Sequence, residues 1–306
     1  IAAPAAPNEG QKLHNHVHAI DHLLTHPHGG DSDEPADEVW VFADSDAVPG
    51  QLWLADLVGP LKHQGKTGAT TGYRWLVPAG ERGGGFWSRL ASVINSSAAC
   101  MYGRDAWNMA WGGSMAVRAE TARRGDLRGM FHGALTDDYQ LTRMCRKLGL
   151  RVYFTHHCLV PSTVDFSRAS FWNFAHRQYL LTRVYVPRLF LAVLAILSLY
   201  VAGLVTAVGW LATHGHAGWA WPVAVLAIVA ALNQVRAAYR RAVVRRALDE
   251  PTTRQLRGAL RMDRWCTSIV MVAHWLIVLR ACFGRTMRWR GIRYHLAGRQ
   301  RVRRLD

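Results

Sequence analysis

Four aspartates stand where carboxylates can do chemistry. Asp44 and Asp46 lie two residues apart in Phe42-Ala43-Asp44-Ser45-Asp46, directly after an apolar run. Two carboxylates on such a turn can hold Mg²⁺ or Mn²⁺, hard ions that keep coordination positions open for phosphate oxygens. The same spacing ahead of Pro49 also suits an Asx turn or a helix cap. Asp137 and Asp138 open an amphipathic segment with Leu141, Met144, Cys145 and Leu148 on one side. A carboxylate there can cap the helix or act as a general base aimed into a cleft. Tyr73, Arg74 and Trp75 form a cluster that can stack on a sugar or an acyl acceptor, core packing being the other reading of each aromatic. Trp111-Gly112-Gly113-Ser114 is a turn whose glycines let backbone approach a ligand closely. Arg177 sits in a helical segment rich in aromatics, where it also suits a membrane interface. His14, His18, His22 and His26 recur every fourth residue, with His16 and His28 nearby. Such spacing permits a metal-binding face, but a polar helix face is the simpler reading.

These residues need elements to position them. Gln11–Leu24 reads as a helix, and Glu38–Ala43 as a buried parallel strand with the Asp44–Asp46 turn at its C-terminal end, where open α/β sheets bind ligands. Thr67–Val77 and Leu150–Phe154 read as further strands, Phe86–Ala99 and Asp165–Thr182 as helices. Gly29–Asp37 is an acidic loop and Gly83-Gly84-Gly85 a flexible turn. Beyond Pro187 the pattern changes. Leu189–Ala212 is 24 residues without a charge, and Trp219–Leu232 continues apolar to Val235. Both can cross a bilayer. Cys266–Leu279 is 14 residues long and suits a re-entrant or interfacial helix, or a third span.

The chain of 306 residues carries a net charge of +16, but not evenly. Residues 1–187 hold 18 basic and 17 acidic side chains, residues 188–306 hold 19 and 4. Positive charge joined to apolar runs argues for a membrane surface and against nucleic acid. Nine arginines in Arg236–Arg264 and nine from Arg280 to Arg304 mark the cytoplasmic side, which leaves 213–218 outside and residues 1–187 cytoplasmic. The use of 33 Arg against 4 Lys is compatible with a GC-rich bacterial genome, so a bacterial inner membrane is the expected location of this multi-pass chain. The expected division is therefore a catalytic domain over 1–187 and a membrane region with a basic cytoplasmic tail over 188–306. Five scattered cysteines without a CxxC pair fit a reducing compartment. The chain begins at Ile1 without a signal segment, so the natural N-terminus is expected upstream.

The order of the motifs adds a further expectation. Gly10-Gln11-Lys12, FADSD at Phe42–Asp46, TGYRW at Thr71–Trp75, WGGSMAVR at Trp111–Arg118, TDDY at Thr136–Tyr139 and RWRGIRYHL at Arg288–Leu296 occur in series. This series resembles the ceramide glucosyltransferase-like family of membrane-bound inverting glycosyltransferases over nearly the whole chain. The resemblance implies a GT-A fold, a doubly wound α/β domain that binds a UDP-sugar, followed by transmembrane helices. It implies that Asp44 and Asp46 hold the diphosphate through Mg²⁺ or Mn²⁺, that Lys12 and Arg177 contact the donor, and that Asp138 is the base with Asp137 as its acidic neighbour. Tyr73, Arg74, Trp75, Trp111, Gly112 and Gly113 would bind the lipid acceptor. Of the family's (Q/R)xxRW motif only Arg177 survives, in Phe174-Ala175-His176-Arg177-Gln178. Family members also carry a membrane helix and the first nucleotide-binding strands before the GQK-like segment. The leading expectation is hexose transfer, with glucose first, to a lipid hydroxyl such as ceramide. Transfer of N-acetylglucosamine or another hexose to a hopanoid or diacylglycerol, a processive polysaccharide synthase, and a non-catalytic membrane-anchored fragment are the alternatives.

Overall fold

A computed structural model describes residues 3–6, 9–26, 38–63, 65–80, 84–104, 106–214 and 218–305. His28, the Gly29–Asp37 loop and Gly83 lie outside the described residues. The chain divides into two compact units. The first comprises Ile1–Trp75, Ala98–Ser162 and Arg285–Asp306, the second Leu76–Ser97 and Thr163–Gly284. The units cut the chain elsewhere than at 187/188, because the chain enters the second unit, returns, leaves again and comes back at its end.

The first unit is built on a four-stranded sheet. Its strands are β1 (Val39–Ala43), β2 (Thr67–Pro78), β3 (Ser114–Arg118) and β4 (Arg151–Val164), in the order β1-β3-β2-β4. Its helices are α1 (Gln11–Thr25), α2 (Trp53–His63), α4 (Ala119–Arg124), α5 (Leu127–Phe131) and α6 (Asp137–Lys147); α3 (Phe86–Ala99) falls mostly in the second unit. Alternation along β1 sends Trp40 and Phe42 to one face, where they meet Leu13, Val17 and Ile20 of α1 together with Phe131, Leu141 and Met144. Val39 and Ala116 turn the other way, toward Leu57 and Leu61 of α2. Helices thus cover both faces of the sheet, an α/β layering.

The strand directions correct one expectation. β1 pairs with β3 antiparallel, from Val39 opposite Arg118 to Ala43 opposite Ser114, and β2 also pairs with β3 antiparallel. Among the described residues β1 is an edge strand, so Val41 is 36% exposed. The apolar run that suggested a buried parallel strand reflects packing of Trp40 and Phe42 on one face, since run length alone does not fix strand direction. The described sheet is thus part of a mixed α/β unit with antiparallel pairs at β1–β3 and β3–β2.

The arginine-rich end of the chain is also more than a tail. It forms a second sheet, β5 (Thr286–Trp289), β6 (Ile292–Gly298) and β7 (Arg301–Arg304), antiparallel throughout. Met287, Tyr294, Leu296 and Val302 are buried while the alternating arginines face outward. Gln300 donates to the carbonyls of Gly129 at 2.8 Å and His132 at 3.2 Å, tying the sheet to the α5–α6 segment.

The second unit is helical: α7 (Arg168–Tyr185), α8 (Pro187–His214), α9 (Ala220–Ala247), α10 (Glu250–Gln255), α11 (Arg257–Trp265) and α12 (Thr267–Ala281). Leu90 and Val93 of α3, Phe171 and Ala175 of α7, Ala259 of α11 and Ile277 of α12 make its core. α8 lies against α12 through Phe190, Leu197 and Val278. The α7 side chain Arg183 donates to the carbonyls of Cys282 and Gly284, satisfying the exit of α12. Among the described residues, α8 and α9, 28 residues each, are the two single helices long and apolar enough to cross a membrane. Leu199 is 74% exposed and Leu232 64%, as suits side chains that meet lipid. α11 and α12 meet at 93°, a broken span or a re-entrant loop. α9 holds that corner. Arg240 Nη1 lies 2.7 Å and Arg236 Nη1 2.9 Å from the buried carboxylate of Asp263 on α11.

Candidate active site

The first unit gathers charge at one end of its sheet. Lys12, in the first turn of α1, reaches three groups at once. Its Nζ stands 2.6 Å from Asp44 Oδ1 and 2.9 Å from Asp137 Oδ2, and donates to Gly112 O at 3.1 Å. Burial opposes the charge, but the two carboxylates outweigh it and hold the ammonium well above the ordinary lysine range. His16, one turn further along α1, has Nδ1 3.7 Å from Asp137 Oδ2, and burial lowers its pKa below the ordinary histidine value.

Asp137 and Asp138 are the first two residues of α6, after Thr136 as cap. Both also make the short backbone bonds that such positions favour. Asp137 Oδ1 accepts from Asp138 N at 3.0 Å and Asp138 Oδ1 from Tyr139 N at 2.7 Å. The cap position falls to Thr136, so neither aspartate is the N-cap, although each still takes a free backbone N–H of the first turn. Burial first, then the neighbouring Asp137 carboxylate, push Asp138 up to about 7, against the pull of Lys12. A carboxyl group poised near neutrality can take a proton from a substrate hydroxyl and release it to water.

The turn opposite is held from both ends. Ala110 N donates to Thr142 Oγ1 on α6 at 2.8 Å, Trp111 N to Thr71 Oγ1 on β2 at 2.9 Å, and Asp44 N to Gly113 O at 3.4 Å. Gly112 has to be glycine here. A Cβ would fall 2.7 Å from Asp137 Oδ2 and closer still to Oδ1. Gly113 is under the same constraint from the Trp111 ring. Both glycines are buried and shape the wall through their backbone.

The aromatic candidates fall into a group of their own. Tyr73 lies 5.9 Å from the Trp111 ring and Arg74 spans the same ring at 5.9 Å. Tyr102 extends the group, with its ring 4.7 Å from Tyr73 and 4.9 Å from Phe154. Burial and the nearby charge of Asp138 push the Tyr102 phenol well above its usual range. Trp75 is different: at 2% exposure its indole is enclosed by protein and supports the site through packing. Arg177 belongs to the second unit, on α7, with its guanidinium 5.5 Å from the Phe174 ring.

His16 and Tyr102 are the site neighbours that sequence reasoning missed. His16 carried a signal, since it stands four residues after Lys12 and so shares its helix face. Tyr102 lies in the segment after α3, where no periodicity marks it.

Asp44 and Asp46 present hard oxygens on the turn after β1. Asp46 is exposed and has no ion-pair or hydrogen-bond partner among the described residues, and Lys12 takes only one oxygen of Asp44. That donor set fits a Mg²⁺ or Mn²⁺ ion completed by phosphate oxygens. Among the described residues no group of three or more His, Cys, Asp or Glu side chains could hold a metal by itself. The histidines of α1 divide accordingly: His14 pairs with Glu9 at 2.7 Å, His22 stacks on His26, and His16 turns to Asp137.

No curated protein matches the chain. Residues 36–302 match the family model of glycosyl transferase family 21, which takes in the Asp44–Asp46 turn, the Trp111–Ser114 turn, Asp137, Asp138 and the closing sheet. With that match over most of its length, the chain belongs to glycosyl transferase family 21 and is a glycosyltransferase.

Proposed function

We propose that the protein moves a hexose, with glucose first, from a UDP-sugar to the hydroxyl of a membrane lipid such as ceramide, with inversion at the anomeric carbon. One observation carries the reading: Lys12 joins Asp44 and Asp137 beside a carboxyl group, Asp138, poised near pH 7. The acceptor oxygen attacks C1 while the bond from C1 to the diphosphate oxygen breaks. The hydroxyl proton passes to Asp138, and UDP leaves with the bonding pair. Lys12 offers its ammonium to the departing diphosphate. Asp137 holds Lys12 in place, and Gly112 leaves room for Asp137 to do so. Asp44 and Asp46 would hold Mg²⁺ or Mn²⁺, which supplies charge neutralisation to the leaving group when bound. Tyr73, Arg74 and Trp111 form a stacking wall for the acceptor, with Gly112 and Gly113 beneath it and Trp75 packed behind.

The apolar faces of α8 and α9 support a lipid acceptor, since they bring the enzyme to where such a hydroxyl resides. Arginines on the C-terminal half of α9 and beyond favour a cytoplasmic catalytic unit, the side on which UDP-sugars are met. The test uses membranes containing the protein, labelled UDP-glucose and ceramide. Labelled glycolipid is expected, with a loss of at least about a hundredfold in Asp138→Asn. No labelled lipid with any acceptor, or full activity in Asp138→Asn, would overturn the proposal. Competition by UDP-N-acetylglucosamine, with hopanoid or diacylglycerol as acceptor, identifies the other donor and acceptor pairing.

A further inference from the structure

Past the apolar stretch of α9, five arginines converge on one cavity of about 460 Å³. Arg241 and Arg245 come from α9, Arg254 from α10, and Arg257 and Arg261 from α11. The only carboxylate on the wall, Glu250, stands 3.0 Å from Arg254. Arg241, Arg245, Arg257 and Arg261 have no hydrogen-bond or ion-pair partner among the described residues. The contrast with Arg236 and Arg240, one turn back on the same helix, is informative. Those two are matched to Asp263, whereas the cavity gathers like charges without matching them.

Unmatched guanidinium groups around one hollow repel each other, and an anion with several oxygens relieves that repulsion. Guanidinium forks fit phosphate oxygens in pairs, which favours phosphate over a simple halide or a single carboxylate. Position then selects the source of the phosphate. The apolar stretch of α9 ends at Val235, and Arg241 follows six residues on, about 9 Å along the helix axis. The polar layer outside the hydrocarbon core begins within that distance. Leu248 and Leu260 add apolar wall to the same cavity, suited to a glycerol backbone. Trp265 at the end of α11 is 72% exposed, as interfacial aromatics are.

We propose that this cavity binds the phosphate-bearing headgroup of an anionic phospholipid, as a bound lipid separate from the acceptor. The inference rests on α9 crossing the membrane, and on nothing about sugar transfer. The full chain is placed in phosphatidylcholine nanodiscs doped with phosphatidylglycerol, and lipid retained on release is counted by native mass spectrometry. Phosphatidylglycerol is expected to be retained over phosphatidylcholine. Neutralising Arg245, Arg257 and Arg261 to Gln should cut that preference on the order of tenfold. All three are exposed and unpaired, so the variant is expected to melt with the wild type. Removing equal charge from the β5–β7 sheet, with Arg288→Gln, Arg301→Gln and Arg303→Gln, should leave the preference unchanged. Equal retention in wild type and cavity variant, or equal loss in both variants, overturns the proposal. A third arm adds inorganic phosphate to lipid-free protein in detergent. Stabilisation by phosphate that needs the cavity arginines, without lipid retention, assigns the cavity to a soluble phosphate and also overturns it. Because no turnover is read, an inactive enzyme leaves the result intact. A chain that fails to remain in the nanodisc identifies failure of the membrane reading instead.

Discussion

Asp138 is asked to be charged when its surroundings prefer it neutral. Its carboxyl is pushed up to about 7 by burial and by Asp137, so the folded protein binds a proton there that the unfolded chain gives up near the ordinary value of 3.8. Two consequences carry opposite signs. With Asp138 as the proposed base, kcat/KM should rise with pH and level off above about 7, with about a tenfold fall per pH unit below that. Stability moves the other way. It is fullest below the unfolded value and declines as pH rises through the folded one, because the native state holds the extra proton in that window. Asp138→Asn removes the decline, and thermal unfolding at several pH values should show the variant overtaking the wild type near pH 8. A wild-type profile flat between pH 5 and pH 8 would remove Asp138 as the base. Gly112 belongs to the same scale. Gly112→Ala pushes a methyl into Asp137, so glycosyl transfer should fall by about a hundredfold while the fold, read by circular dichroism, persists.

At the scale of elements, much of this arrangement was legible. The helix carrying Lys12 ends at Thr25, one residue from where periodicity placed it, because Leu13, Val17 and Ile20 recur at helical spacing and are all buried. The aspartate pairs were legible too, since Asp44–Asp46 follows a strand and Asp137–Asp138 opens an amphipathic helix. Strand direction was not. Trp40 and Phe42 report burial of one face and say nothing of the partner, which lies some seventy residues on at Met115 and Val117. The three strands at the chain end were hidden for another reason. Their outward positions are arginines, and the charge count masked the alternation of Met287, Tyr294, Leu296 and Val302. The corner between α11 and α12 makes its own prediction. Asp263 is the carboxylate for Arg240, which is 7% exposed. Asp263→Asn should destabilise the second unit by about 3 kcal/mol, measured by unfolding in detergent, because it strands a buried charge. Loss of well under 1 kcal/mol would mean that solvent or lipid satisfies Arg240 instead.

For the whole molecule, the charge asymmetry keeps its place as a guide to orientation, and the arginines of α10 and α11 supply a check. Arg254 and Arg257 are exposed, so trypsin should cut there in inverted membrane vesicles and spare the site in right-side-out ones. Cleavage from the outer side only would reverse the topology. The site-bearing unit has another property at this scale, which follows from its discontinuous chain. Its last strands, β5 to β7, are separated from Asp138 by the entire helical unit, and Gln300 fastens them back onto Gly129 and His132. The order of synthesis therefore matters. While the ribosome is still making α8 to α12, the carboxylates of the candidate site wait without the sheet that completes their unit. Maturation of the site is therefore expected to follow membrane insertion, and a chain stopped after Gly284 should reach the bilayer yet leave residues 1–75 and 98–162 open to protease.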